Sequence, residues 1–333
     1  MKALYFDGEL KLRSDVAPPR AGEGEALVRV LRAGICNTDL EIMKGYMGFR
    51  GIPGHEFVGQ VEAAQDRALA NQIVVGEINC ACGRCSSCEA GEGNHCPNRT
   101  VLGIDGRNGA FAEYLALPEK NLHPVPSNVT IDEAVFVEPL AAACRVTEQV
   151  RINSGSSVCV FGDGKLGLLA AQVARLKTAR VTLVGKHAPK MRLLGGLGIR
   201  CVELKGFTAQ PFDVTVECTG SPEGFALALS CTRPLGTLVM KTTTQAPVAG
   251  RLAPAVINEV TIVGSRCGPF EEAISLLRRK KVRVEGMITA RFRLEDAALA
   301  FEAAAKTSAI KVLLDVDQPP IGAGSGRQTR TGK

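Results

Sequence analysis

Residues 158–167 read VCVFGDGKLG, and residues 168–179 read LLAAQVARLKTA. The first four letters are an apolar run typical of a short strand, and the second stretch is helix-like. Three glycines in the pattern G-x-G-x-x-G therefore stand where a strand ends and a helix begins. This is the context in which the pattern binds a dinucleotide, because unpaired N–H groups of the helix N-terminus face the phosphates.

Each residue of this turn has an expected role. Gly162 permits the tight turn, Gly164 lets the backbone approach a diphosphate, and Gly167 lets helix and strand pack closely. We also assign Lys165 and Leu166, which lie between the glycines, to the predicted cofactor site.

Five further runs of strand-forming residues follow, and helical stretches separate several of them. With the first run they are 158–161, 181–184, 201–204, 213–217, 237–240 and 260–263. Strands that alternate with helices form a doubly wound parallel sheet, so this half of the chain is predicted to be a Rossmann domain. Thr219, just beyond the fourth run, is a further candidate for cofactor binding.

The end of the second run departs from the usual pattern. An acidic residue about 20 positions after the glycines would bind the adenine ribose of NAD, but Gly185 stands there, followed by Lys186 and His187. A glycine leaves room for a 2′-phosphate and Lys186 supplies positive charge, so we expect NADP(H) to be favoured over NAD(H). The alternative is that Lys186 and His187 form an ordinary solvated loop.

Four cysteines lie close together in the sequence ACGRCSSCEAGEGNHC, with the spacing Cys82-x2-Cys85-x2-Cys88-x7-Cys96. One short loop, 80–97, could wrap a zinc ion with four thiolates, which is typical of a structural site. Two disulfides are the alternative. They would need an exported protein, and the N-terminus shows no positive cluster followed by an apolar run. We therefore expect zinc and a reducing, cytoplasmic location.

The composition narrows the class of protein. A chain of 333 residues with 45% hydrophobic and 22% charged residues is expected to form two globular domains. The net charge of +6 is spread along the chain, and only 278–281 is a basic run, so nucleic-acid binding is not expected. No apolar stretch is long enough to span a membrane. The segment 318–333 is rich in Gly, Pro and Ser and is predicted to be disordered.

Two further motifs precede the cysteine loop: Cys36-x-Thr38-Asp39 and Gly54-His55-Glu56. Together and in this order, these motifs, the four cysteines and the glycine turn resemble the zinc-containing medium-chain alcohol dehydrogenases. The resemblance covers residues 1 to about 317. Within that family it is closer to the polyol and threonine dehydrogenase branch.

The resemblance implies an α/β architecture with a GroES-like, β-rich catalytic domain and an inserted Rossmann domain. The catalytic domain would consist of residues 1–143 and 287–317, and the Rossmann domain of residues 144–286. Relatives are dimers or tetramers, so a homodimer or homotetramer is expected.

The resemblance also implies a catalytic zinc site. Cys36 and His55 match its first two ligands, and Glu138 matches the third, where many relatives have cysteine; Glu138 is either a ligand or holds a water molecule beside the metal. Glu56 is an alternative ligand or exchanges with water. Asp39 matches the carboxylate that orients the imidazole of His55.

Thr38 matches the hydroxyl that relays the substrate proton, whereas Glu41 stands where many relatives continue the relay with histidine. Lys311 matches a basic residue that often contacts the cofactor diphosphate. The implied function is zinc-dependent hydride transfer between a nicotinamide cofactor and an alcohol, polyol or aldehyde. The alternative is a zinc-stabilised dinucleotide-binding scaffold or sensor without turnover.

Overall fold

The computed structural model describes residues 1–243 and 252–316. Its strands are β1 (Ala3–Phe6), β2 (Leu10–Arg13), β3 (Glu25–Ile35), β4 (Glu56–Ala63), β5 (Ile73–Gly76), β6 (Asn79–Cys80), β7 (Thr100–Leu102), β8 (Gly106–Arg107), β9 (Tyr114–Pro118), β10 (Leu122–Pro124), β11 (Ser157–Phe161), β12 (Arg180–Gly185), β13 (Arg200–Glu203), β14 (Phe212–Glu217), β15 (Thr232–Met240), β16 (Thr261–Gly264), β17 (Ile288–Arg293) and β18 (Lys311–Asp315). Its helices are α1 (Asn37–Ile42), α2 (Ser86–Glu89), α3 (Ile131–Ala134), α4 (Val137–Gln149), α5 (Lys165–Arg175), α6 (Ala188–Met191), α7 (Pro222–Ser230), α8 (Ala253–Ile257), α9 (Phe270–Arg278) and α10 (Ala297–Ala304).

The second half of the chain contains a six-stranded sheet in the order β13-β12-β11-β14-β15-β16. All neighbouring strands in it are parallel, which confirms the doubly wound sheet. Every residue of β11 is buried, as expected for a central strand covered on both faces. The chain passes from β11 to β12 and later crosses back to β14, so the order reverses beside β11. Ligands bind at such a switch point, beyond the carboxyl ends of the strands.

A second, mostly antiparallel sheet has the order β10-β5-β4-β3-β18-β17, with β9 also paired to β3. Its longest strand, β3, alternates partly buried and buried residues over its first half, so one face packs on the core. The last strand, β18, returns from the far end of the chain to pair with β3, and Arg32 Nε lies 2.5 Å from Asp315 Oδ1 across that pairing. The β-rich domain is therefore built from both ends of the chain.

Helix α4 connects the two sheets, and the predicted boundary between residues 143 and 144 lies within it. One apolar core contains Val58 of β4, Leu140 of α4, Val160 of β11 and Leu313 of β18. The carboxyl end of β11 thereby lies close to the start of β4. The predicted tail, 318–333, lies outside the described residues. Within the described residues, none of the helices combines the length and the apolar character that crossing a membrane requires.

Candidate active site

The four loop cysteines come together at one point. The distances between their sulfur atoms are 3.5 Å for Cys85–Cys88, 3.6 Å for Cys85–Cys96, 3.5 Å for Cys82–Cys96 and 4.0 Å for Cys82–Cys88. A tetrahedral zinc ion with Zn–S near 2.3 Å would separate its sulfurs by about 3.8 Å, so the arrangement fits four thiolates around one ion. All four are free cysteines, which disagrees with the disulfide alternative.

A second group of possible metal ligands consists of Cys36, His55 and Glu56, whose donor atoms lie within 4.8 Å of one another. Cys36 stands at the start of α1, and the carboxylate of Asp39 accepts a hydrogen bond from the Cys36 backbone N–H at 2.7 Å. The other Asp39 oxygen lies 3.3 Å from His55 Nδ1. Asp39 and His55 are both buried, and this carboxylate holds the imidazole in place.

The electrostatics of this group suit metal binding. Burial would raise the pKa of the Cys36 thiol, but the ammonium of Lys165 and a hydrogen bond from His55 hold it well below its usual range. Metal binding requires a thiolate, which such a low pKa provides. Asp39 Oδ1 and His55 Nδ1 are buried, lie 3.3 Å apart and lack a well-formed hydrogen bond, and a bound metal ion would supply a further reason for the ring's fixed orientation.

Glu56 is held by lysines from two different parts of the chain. Its Oε1 lies 2.5 Å from the Nζ of Lys165, and its Oε2 is bonded by the Nζ of Lys311. Lys165 belongs to the glycine turn, so the predicted cofactor site touches the predicted metal site directly. The side chain of Lys311 is completely buried and contacts Glu56. The resemblance implies instead that Lys311 contacts the cofactor diphosphate.

Glu138 lies outside the group of closely spaced ligand atoms. It is in the first turn of α4, and burial raises the pKa of its carboxyl group; the charges of His55 and Cys36 also act on it. Within the described residues its carboxylate makes no hydrogen bond or ion pair. Glu138 is therefore a half-buried carboxylate without a partner among the described residues, and the charges of His55 and Cys36 act on it.

Thr38 is half-buried in α1, and its hydroxyl lies 3.9 Å from the sulfur of Cys36. This places a hydroxyl beside the metal-ligand group, as the sequence predicts. Glu41 lies farther along α1 and pairs with Lys44 at 2.8 Å. An ion pair with an exposed lysine keeps this carboxylate at the surface.

The glycine turn has the expected shape. Gly162 has φ +113° and a β-carbon on it would lie 2.6 Å from the carbonyl oxygen of Cys218; a β-carbon on Gly167 would lie 1.9 Å from the Gly162 carbonyl. Nothing lies within 4 Å of the corresponding position on Gly164, so that side of the turn is open to a ligand. Thr219 is exposed beside the turn, with its hydroxyl 2.6 Å from Glu217.

The space predicted beside Gly185 is absent, and this expectation is wrong. The side chain of Asp163 fills it: a β-carbon on Gly185 would lie 2.6 Å from Asp163 Oδ2. The Asp163 carboxylate accepts a hydrogen bond from the backbone N–H of His187 at 2.5 Å and lies 3.1 Å from its Nδ1. Lys186 is exposed, and no described residue pairs with it.

Sequence reasoning missed Asp163 at this site, and it missed the contact of Lys165 with Glu56. Asp163 occupies a variable position of the glycine pattern, and only its contact with Gly185 reveals its place. Lys165 was assigned to the cofactor through the turn, whereas its ammonium reaches Glu56, 109 positions away. The signal for this contact in the sequence was a charged residue, Lys165, inside a turn that is expected to bind phosphate.

Comparison with protein families finds two matches. Residues 22–127 match the alcohol dehydrogenase GroES-like domain, and residues 131–316 match the glucose dehydrogenase C-terminus. Together the two matches span most of the described chain.

Curated relatives include an L-threonine 3-dehydrogenase from Solibacter usitatus, 30% identical over 91% of this chain and 95% of its own. A sorbitol dehydrogenase from Halalkalibacterium halodurans is 28% identical over 89% and 93%. These relatives are named as dehydrogenases, and the alternative of a scaffold without turnover has no support among them.

Solved structures of dehydrogenases have the same fold as this chain. An alcohol dehydrogenase from Thermus sp. ATN1 has a TM-score of 0.87 at 28% identity and covers 95% of this chain and 100% of its own. A zinc-binding dehydrogenase from Sinorhizobium meliloti bound to NADP has a TM-score of 0.86 at 29% identity, over 95% and 99%. With its GroES-like and Rossmann domains, its two cysteine-containing ligand groups and its glycine turn, the chain belongs to the zinc-dependent medium-chain dehydrogenase family and is an oxidoreductase.

Proposed function

We propose that the protein transfers a hydride between a nicotinamide cofactor and a small alcohol, polyol or aldehyde at the centre formed by Cys36, His55 and the glycine turn. The observation that carries this proposal is the 2.5 Å contact between Lys165 of the turn and Glu56 beside the metal ligands. A cofactor on the turn would extend toward the metal-ligand group, as direct hydride transfer requires. Polyols and alcohols are the substrates in the names of several relatives.

Zinc bound at this centre supplies a Lewis acid for the substrate oxygen, and the nicotinamide ring accepts or donates the hydride. Cys36 and His55 would hold the ion, and Asp39 would keep the His55 ring in position. Glu138 is the better third ligand than Glu56. Both Glu56 oxygens are bonded to lysines, whereas Glu138 has no partner among the described residues.

The chain's own residues also handle the proton and the cofactor. The hydroxyl of Thr38, beside Cys36, would take the proton from the substrate hydroxyl and pass it toward solvent. The backbone of Gly164 and Leu166 would face the diphosphate, and Thr219 would line the cofactor at the end of β14. The loop 80–97 would hold a second, structural zinc ion on its four thiolates.

We favour NADP(H) over NAD(H), on grounds other than open space at Gly185. Lys186 lines a cleft of about 290 Å³ with Glu203, Leu204 and Lys205, at the carboxyl ends of β12 and β13. The adenosine half of a dinucleotide lies at this position in Rossmann domains. His187 makes a hydrogen bond with Asp163, whereas no described residue pairs with the ammonium of Lys186, so Lys186 is available to a 2′-phosphate. The Sinorhizobium relative, with NADP bound, supports the same preference.

The protein is further proposed to assemble through β16. This strand ends the Rossmann sheet, and no described strand pairs with its other edge. Around it Leu235, Val256 and Ile257 are 68%, 76% and 78% exposed. Two copies could pair their β16 edges and cover these side chains, giving a dimer or a tetramer built from such dimers. Light scattering should give at least twice the chain mass of 35.2 kDa.

We also propose a reducing location such as the cytoplasm, because all twelve cysteines are free thiols. Four of them are the proposed zinc ligands of the loop 80–97, which we call the zinc loop, and a fifth, Cys36, is a proposed ligand of the catalytic ion.

A panel of alcohols, polyols and aldehydes with both cofactors tests the function. Cys36→Ala and His55→Ala should each abolish turnover, lower the zinc content from two ions per chain to one, and leave cofactor binding largely intact. Cys201→Ala, which changes a cysteine of β13 away from both sites, is the control. Near-normal kcat in either ligand variant would show that the proposed centre is not the site of reaction.

A further inference from the structure

Two buried lysines share one carboxylate at the boundary between the domains. The side chains of Glu56 and Lys311 are 0% exposed, and that of Lys165 is 12% exposed. Among the described contacts, neither ammonium bonds to another carboxylate. Among the described residues, Glu56 is thus the only carboxylate in direct contact with either ammonium, although the charges of Cys36 and Asp39 also act on Lys311. Each lysine therefore keeps N–H donors that Glu56 does not use.

Lys311 is the fully enclosed partner of Glu56. Its ammonium lies 5.7 Å from the ring centroid of Phe136, and its side chain is 0% exposed. A completely enclosed ammonium cannot reach a ligand on the open side of the glycine turn. Of the two lysines, Lys165 is therefore the one whose free donors a ligand can reach.

Lys165 is placed to meet a diphosphate. It is the first residue of α5, which begins after Gly164, and the side of Gly164 away from the helix is open. A dinucleotide diphosphate sits at this helix N-terminus in Rossmann domains. A lysine ammonium has three N–H donors, and Glu56 takes one of those of Lys165.

We propose that Lys165 binds the diphosphate of the cofactor with the donors that Glu56 leaves free, and so joins the cofactor to the metal centre through Glu56. Lys311, for which the family resemblance implies the diphosphate contact, stays on Glu56 instead. This inference rests on the proposed function, because it requires a dinucleotide on the glycine turn.

The test compares ligands with and without phosphates, without any measurement of turnover. ADP-ribose carries the diphosphate and adenosine carries none; both compete with reduced cofactor, whose fluorescence reports its binding. Lys165→Met should lower the affinity for ADP-ribose about tenfold or more, which is the loss expected for a charge-assisted hydrogen bond. It should change the affinity for adenosine less than twofold. Lys165→Arg should keep the affinity for ADP-ribose within about threefold of that of the unmodified protein, because the charge is retained. Lys177→Met, an exposed lysine just beyond α5, should change neither ligand.

The link through Glu56 has its own test. Glu56→Gln should strengthen ADP-ribose binding about threefold or more, because Lys165 no longer shares its charge with a carboxylate. In the double variant Lys165→Met/Glu56→Gln this gain should disappear. An equal gain with and without Lys165 would refute the link.

The outcomes separate the two proposals. If the unmodified protein binds neither reduced cofactor nor ADP-ribose, the proposed function itself is wrong. If it binds both and Lys165→Met leaves ADP-ribose affinity unchanged, only this inference is wrong. A loss of adenosine affinity as large as that of ADP-ribose would also overturn it, since the substitution would then have disturbed the adenosine site rather than removed a diphosphate contact.

Discussion

The carboxylate of Asp163 occupies the space beside Gly185 at the end of β12. A β-carbon added to Gly185 would lie 2.6 Å from both Cβ and Oδ2 of Asp163. The strand end thus has an acidic group after all, supplied by the glycine turn rather than by the strand. His187 bonds this carboxylate through its backbone N–H, so the turn, the strand end and the loop after it form one connected unit.

Substitution of Gly185 should therefore damage the cofactor site rather than change its preference. Gly185→Ala and Gly185→Asp should both lower stability by about 1–3 kcal/mol, the usual cost of overpacking, and weaken NADPH and NADH together. Thermal unfolding and fluorescence titration with each cofactor measure this. The double variant Asp163→Gly/Gly185→Asp removes the collision and should recover most of the lost stability. A Gly185→Asp protein that is stable and prefers NADH would contradict the geometry.

Lys186 is the residue on which the proposed NADP(H) preference depends. Lys186→Ala should lower kcat/KM for NADP(H) about 10- to 150-fold, because a charge-assisted bond to phosphate is worth about 1.5–3 kcal/mol. The value for NAD(H) should change little. Lys205→Ala is the matched control on the same cleft, since Lys205 has Glu203 3.9 Å away. Equal kcat/KM for the two cofactors in the unmodified protein would show that Lys186 is only a solvated lysine.

The sequence predicted those features of the fold and the site that depend on local residue patterns. Six strands of the Rossmann sheet and the helix after the glycine turn follow from apolar periodicity and glycine placement, which act within about 20 residues. The cysteine group also follows from local spacing, because Cys82 and Cys96 belong to one loop.

Contacts between distant segments could not be predicted in this way. Asp163 and Gly185 are 22 positions apart, and their contact depends on how closely β12 packs beside the turn. Lys165 and Glu56 belong to different domains, and Lys311 comes from the last strand. The lysine partners of Glu56, which support Glu138 as the proposed metal ligand, are visible only in the folded chain.

The zinc loop should be sensitive to each of its four cysteines. Cys88→Ser replaces a thiolate by a hydroxyl, so the bound zinc should fall from two ions to one per chain and the melting temperature should drop. Elemental analysis and thermal unfolding measure both effects. Cys80→Ser is the control: Cys80 is buried two residues before the loop ligands, and its sulfur faces the carbonyl of Ile78 rather than the four thiols. Zinc content that stays at two ions in Cys88→Ser would refute the four-thiolate site.

Asp213 at the start of β14 should contribute to stability in a pH-dependent way. The backbone N–H and the hydroxyl of Ser157 each donate to its carboxylate at 2.7 Å, and Arg233 pairs with it. These interactions, the backbone bond foremost, lower the pKa of Asp213 from 3.8 to about 2. The carboxylate is thus stabilised in the folded state relative to the unfolded chain.

The sign of the effect follows from this depressed pKa. The stabilisation is complete above pH 4–5, where the unfolded state is also ionised, and is lost as the pH falls through about 2. The side chain is 30% exposed, so solvent screens its interactions. We expect the ionised carboxylate to contribute about 1–2 kcal/mol to the free energy of unfolding at pH 7. Asp213→Asn should remove this amount at pH 7 and about half of it at pH 3 in urea unfolding. Asp105→Asn, at an exposed turn, should cost little at either pH. If the loss in Asp213→Asn were the same at both values, the ionised carboxylate would not be its source.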